Sequence, residues 1–151
     1  MIIMNEEMYP MREIVNLSRI WHRVIEKRMA DLGLSSIQSR MLGYLYIQSR
    51  EEKKVFQKEL EEEFKIRKSS ITSVIQILEK KGLICRISVP GDARKKELVL
   101  TEQGIAVQET VIERLDRLEA LVHGALSPGE RQLWFCCIRK IEDRLKEADY
   151  D

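Results

Sequence analysis

Cysteine, histidine and glycine-rich segments are scarce in this chain, and each scarcity closes off a class of function. Three cysteines, two of them adjacent (Cys136 and Cys137), cannot build a disulfide framework, so free thiols in a reducing compartment are expected. The two histidines, His22 and His123, fall in different helical segments with no Cys or His partner at ligand spacing, so no metal site is expected. There is no glycine-rich phosphate loop and no Ser or Cys set beside a His, which argues against an enzyme and against a bound cofactor. The carboxylate run Glu59, Glu61, Glu62 and Glu63 reads as a solvated helix face. No apolar run approaches the ~18 residues of a membrane span. Met1-Ile2-Ile3-Met4 is too short for a signal peptide and is followed by Asn5-Glu6-Glu7, so a cytoplasmic location is expected.

What is present is a core and an uneven charge. At 151 residues and 44% hydrophobic, the chain has one domain's length and enough apolar material to bury a core. Its net charge is only +1, yet Lys65 to Lys96 holds nine basic residues and two acidic ones. That stretch carries +7, and everything else sums to −6. Positive charge gathered in one segment is the footprint of a polyanion-binding surface, which the overall balance conceals.

The same stretch has a helix and a hairpin written into it. Ile71, Val74, Ile75 and Leu78 recur at helical spacing, and Gly82 sits where a left-handed residue commonly ends a helix. Leu83, Cys85, Ile87 and Val89 then alternate with Ile84, Arg86 and Ser88. Pro90-Gly91-Asp92 is turn chemistry, and Leu98 and Leu100 flank Val99 on a returning strand. Opposite the helix's apolar stripe lie Ser69, Thr72, Ser73, Gln76 and Lys80. A chain that is 34% charged would ordinarily cover a merely solvated face with Lys, Glu and Arg. Ser and Thr are poorer helix formers by about 0.5 kcal/mol each. Short hydroxyls and an amide instead allow close approach while offering donors and acceptors, as a helix reading a major groove requires.

The flanks are helical. Residues 8 to 32 carry the stripe Met11, Ile14, Val15, Val24, Ile25, Met29 and Leu32, with Gly33 as the stop. Ser35 and Gln38 form a capping box for a helix reaching about Gln48, and Ser49 to Lys54 is a charged loop. Gln57 to Phe64 is a short helix without a good N-cap, since Phe56 stands where Ser or Thr is wanted. Lys65-Ile66-Arg67 joins it tightly to the next helix, which makes a helix-turn-helix and, with the hairpin, a winged one. Thr101 caps a helix to about Gly124. Ser127 and Glu130 form a second capping box, and Trp134, Ile138, Ile141 and Leu145 form a stripe on the final helix.

At the wing, Asp92-Ala93-Arg94-Lys95-Lys96-Glu97-Leu98-Val99-Leu100-Thr101-Glu102-Gln103-Gly104 resembles the D-x-R-x-x-x-L-x-L-T-x-x-G signature of MarR-type transcriptional regulators, and Leu78 to Ile84 resembles that family's end of the recognition helix. The order of elements matches from about residue 9 to 147. The resemblance implies a mainly α fold: one MarR-like domain over 1–151, with a winged helix-turn-helix DNA-binding lobe at 34–100. Flanking helices at 8–32 and 101–147 would form a homodimer. It implies a cytoplasmic regulator, most often a repressor, bound to a pseudo-palindromic duplex.

On that resemblance the DNA-binding residues are Arg67, Lys68, Ser69, Ser70, Thr72, Ser73, Gln76 and Lys80, with Asp92, Arg94, Lys95 and Lys96 on the wing. Arg94 would reach the minor groove, its guanidinium oriented by Asp92. Relatives often carry Arg where this chain has Ser73, so base reading would lean on Gln76, Ser69 and Thr72. Many relatives are released by a small aromatic ligand, and Trp21, His22, Met41 and Tyr44 could line such a pocket, against ordinary core packing for each. Cys136 and Cys137, with no evident base or resolving partner, read as buried or interface thiols. The competing reading is a winged-helix protein–protein module, in which the exposed helix face tends to be apolar or acidic.

Overall fold

The computed structural model describes residues 9–148; Met1 to Glu7 and the expected helix start at residue 8 lie outside them. Six α-helices and one hairpin follow in order: α1 Pro10–Met29, α2 Ser36–Arg50, α3 Gln57–Phe64, α4 Lys68–Lys80, β1 Ile84–Val89, β2 Asp92–Leu100, α5 Glu102–Ala125 and α6 Pro128–Ala148. The chain divides into two compact units, 1–112 and 113–151.

In the first unit, α1 ends in a 3-10 turn, Ala30–Leu32, closed by Gly33 at φ +63°. The Ser35 box is made, with Gln38 N–H on Ser35 Oγ at 3.4 Å and Ser35 N–H on Gln38 Oε1 at 3.2 Å. At α3 only the reciprocal half of a box exists. Glu59 accepts from Phe56 N–H at 2.9 Å, while the Phe56 ring has no oxygen to offer in return. Between α3 and α4, Lys65 takes a left-handed φ of +50°, which turns the chain sharply enough for the two helices to pack.

The core sits here. Met41, Leu42 and Leu45 of α2, Leu60 of α3, and Ile71, Ile75 and Leu78 of α4 are almost wholly buried, joined by Leu83, Ile84, Leu98 and Leu100 of the hairpin. Burying each such side chain contributes about 1.5–3 kcal/mol. The end of α4 is a Schellman motif. Leu83 N–H bonds to Leu78 C=O at 3.0 Å and Gly82 N–H to Glu79 C=O at 2.9 Å, with Gly82 at φ +71°.

That motif sets where the strand starts. Leu83 is used up in folding back on the helix, so the strand begins at Ile84. Ile84 pairs with Leu100 and Arg86 with Leu98; Ile84, Leu98 and Leu100 are buried, while Cys85, Arg86 and Ile87 are exposed. A register shift between Ser88 and Val89 precedes the tip. There Gly91, following Pro90, takes a left-handed φ of +87°, which favours glycine. Val55 adds a short third rung, its carbonyl accepting from Leu98 N–H at 2.8 Å.

In the second unit, Ser127 and Glu130 complete their box, with Ser127 N–H on Glu130 Oε2 at 2.7 Å and Glu130 N–H on Ser127 Oγ at 3.3 Å. The Ser127 N–H holds the Glu130 carboxyl below its usual range. Helix α6 buries no side chain among the described residues, and Leu133, Trp134, Phe135 and Leu145 are exposed. Cys136 and Cys137 are exposed too, so of the two expectations for these thiols, buried or interface, burial within the chain does not hold.

Candidate nucleic-acid interface

Helix α4 presents the two faces its sequence implies. Ile71, Val74, Ile75 and Leu78 are buried, and Ser69, Ser70, Ser73, Gln76 and Lys80 are exposed. Arg67 and Lys68, exposed at its start, add two cations. Among the described residues no hydrogen bond holds the side chains of Ser69, Ser73 or Gln76, so their donors and acceptors stand open to a ligand.

Thr72 differs. Its hydroxyl donates to Lys68 C=O at 3.0 Å and accepts from Gln57 Nε2 at 2.9 Å. Gln57, the first residue of α3, also donates to Glu61 Oε1 at 3.0 Å. The Thr72 hydroxyl therefore pins α4 against α3, and its proton is already committed. Thr72→Val is expected to cost about 1 kcal/mol in urea denaturation, whereas Ser69→Ala should stay within ~0.5 kcal/mol.

The wing brings Arg94, Lys95 and Lys96 out into solvent. Asp92 does not face the Arg94 guanidinium. Its Oδ1 accepts from the Arg94 backbone N–H at 3.0 Å, so the short carboxylate closes a turn on the residue two positions on. Asp92 shapes the tip, and among the described residues no ion pair restrains the Arg94 side chain. Lys96 Nζ donates to Ser88 Oγ at 2.6 Å across the hairpin.

Between the start of α3 and the wing lies a cleft of about 460 Å³, lined by Phe56, Gln57, Lys58 and Glu59 on one side and Arg86, Arg94, Lys95, Lys96 and Leu98 on the other. Five of these nine are cationic, and the Glu59 carboxylate is partly engaged by the Phe56 N–H. Sequence reasoning counted Arg86 in the charge but gave no role to it, to Lys58 or to Gln57. Arg86 Nε bonds Glu79 Oε1 at 3.0 Å and so fastens the wing root to α4. The alternation of β1, which sets Arg86 on the same side as Ile84, was the available signal.

The four residues proposed for a ligand pocket divide. Met41 is fully buried in the lobe core, and Tyr44 packs against that core with its ring edge-on to Phe64 at 6.1 Å. Burial, then Glu63 and Glu59, push the Tyr44 phenol above its ordinary range. Trp21 is half-buried and His22 exposed on α1, with Nδ1 2.7 Å from Ser18 C=O; neither joins the core cluster. None of the four lines the cleft beside the wing.

A helix-turn-helix with a two-stranded wing, cationic along one side, defines a winged-helix protein. Comparison with known proteins carries this further. The MarR family profile matches residues 32–95. MepR, a transcription regulator of the Staphylococcus aureus multidrug efflux pump MepA, superposes with a TM-score of 0.76 at 23% identity, over 91% of this chain and 96% of that one. The S. aureus MepR–DNA complex gives 0.72 at 20% identity, over 93% and 99%. A Clostridium acetobutylicum protein assigned to the MarR family of transcriptional regulators gives 0.69 at 28% identity, over 90% and 98%. The family match is confined to residues 32–95, and the likeness of fold to these MarR-type winged-helix structures extends over about nine-tenths of the chain.

Proposed function

We propose that this chain binds double-stranded DNA sequence-specifically, as a cytoplasmic homodimeric repressor on a pseudo-palindromic operator, and that a small ligand releases it. One observation carries the reading: a helix whose exposed side offers unengaged hydroxyls and an amide stands beside an exposed cationic wing tip. The residues proposed for base contact are Ser69, Ser73 and Gln76. Arg67, Lys68, Lys80, Lys95 and Lys96 serve the phosphates, and Arg94 the minor groove.

The lobe is assigned to residues 34–100, and the dimerisation helices to 8–32 and 101–147. Exposed apolar side chains on α1 (Met11, Val15, Leu17, Ile20) and on α6 (Leu133, Trp134, Phe135) support pairing of two copies. That MepR regulates an efflux pump and has been seen on DNA supports the regulatory role. No helix among the described residues is long and apolar enough to cross a membrane.

A mobility-shift assay against the DNA upstream of the chain's own gene tests the reading; no retarded band there or with any genomic fragment would sink it. Arg94→Ala should weaken binding about tenfold or more, since each arginine contact is worth ~1–3 kcal/mol and a dimer loses two. Its thermal midpoint should not change, because no packing is lost. Equal affinity in that variant would remove the wing tip from the interface.

A further inference from the structure

Lys81, the last residue before the glycine that ends α4, makes contacts that neither the charge pattern nor the motif anticipates. Its ammonium donates to Gly33 C=O, 48 residues away, and to Gln38 Oε1 at 3.2 Å. Gly33 is the left-handed residue that closes the turn after α1. Gln38 is buried, and its Oε1 is the same oxygen that accepts from Ser35 N–H in the α2 capping box. One cation thus joins the end of the reading helix to the corner between α1 and α2.

We infer that Lys81 is a positioning residue: it couples the α1–α2 corner to the C-terminal end of α4 and thereby sets how the reading face of α4 is presented. Its DNA consequence rests on the function proposed above, but the coupling itself does not. A lysine at this place in a basic stretch would otherwise be counted as one more phosphate contact. Its donors are directed at protein oxygens, and a charge-assisted bond is the stronger kind. Any change in the angle at which α1 enters that corner moves the Gly33 carbonyl. Through the ammonium it then moves Lys81, which the Schellman motif ties to the last turn of α4.

The test compares the full chain with Lys81→Met, which keeps the stem and deletes the donors, and Lys81→Arg, which restores donors to both oxygens. Hydrogen exchange without DNA is read first. In Lys81→Met, amides of residues 33–38 and 78–83 should exchange faster together, by about tenfold, with global stability nearly unchanged, and Lys81→Arg should recover protection. Duplex binding is read second, with the chain's own upstream region and a mixed-sequence duplex of equal length. Lys81→Met should lose about tenfold on the first and little on the second, with the salt slope unaltered.

Exchange that does not change, or that changes at only one of the two segments, overturns the coupling. A loss equal on both duplexes with a slope reduced by about 0.9 per lost contact makes Lys81 a phosphate ligand and overturns it as well. If the unmodified chain binds neither duplex, the functional reading falls, while the exchange result still decides the coupling.

Discussion

Raising salt from about 50 to 200 mM is expected to weaken duplex binding by about 10³–10⁵-fold. The size follows from which cations are available. Arg86 is paired with Glu79, and Lys81 is directed at Gly33 and Gln38. Arg67, Lys68, Lys80, Arg94, Lys95 and Lys96 remain exposed on or beside α4 and the wing. A dimer brings twelve such groups, and neutralising ~6–10 phosphates with them gives a slope of log affinity on log salt of about −5 to −9. The chain's net charge of +1 gives almost no long-range attraction of its own, so the dependence comes from this local patch. Fluorescence anisotropy across a salt series measures it. A slope shallower than about −2 would mean that this face is not what holds the DNA.

The second large effect is on folding. Gly104→Ala should destabilise by about 3 kcal/mol or more, lowering the thermal midpoint by roughly 6–12 °C. The need at Gly104 is for space. A Cβ built there falls 2.0 Å from the Leu83 carbonyl oxygen and 2.9 Å from its carbon. That carbonyl cannot retreat, because it accepts from Thr101 N–H at 3.0 Å while Leu83 N–H is held by Leu78. The Thr101 hydroxyl secures the same corner, donating to Gly82 C=O at 2.6 Å and accepting from Gly104 N–H at 3.0 Å. The threonine and glycine of the wing signature are therefore a knot that ties the end of β2 and the start of α5 to the cap of α4. Gly129→Ala is the control. Nothing lies within 4 Å of a Cβ there, so stability should hold or rise by up to about 1 kcal/mol. A Gly104→Ala chain that melts with the parent would show that the corner yields.

The fold and the candidate interface were legible to different depths. The stripes and stops of α1, α2 and α4, both serine capping boxes, Thr101 and the Gly82 terminus all follow from residues within about one helical turn of each other. The exposed face of α4 was legible for the same reason, since opposite sides of a helix are a matter of spacing. The inward side of the wing was not. Leu83 satisfied the alternation, but it is drawn into the helix cap, so that Leu83 and Ile84 are both buried and the strand begins at Ile84.

What the order of residues determined alone is what short-range chemistry decides: where helices begin and end, which side of each is apolar, where positive charge gathers, and that a hairpin follows α4. Packing decided the rest. Thr72 meets Gln57 across 15 residues and Lys81 meets Gly33 across 48, which no periodicity relates. Even Asp92, only two residues from Arg94, takes the backbone N–H instead of the guanidinium because the turn in three dimensions presents that donor first. A side chain with several partners in reach bonds to whichever one the assembled elements bring within about 3 Å, and that choice exists only once the chain has folded.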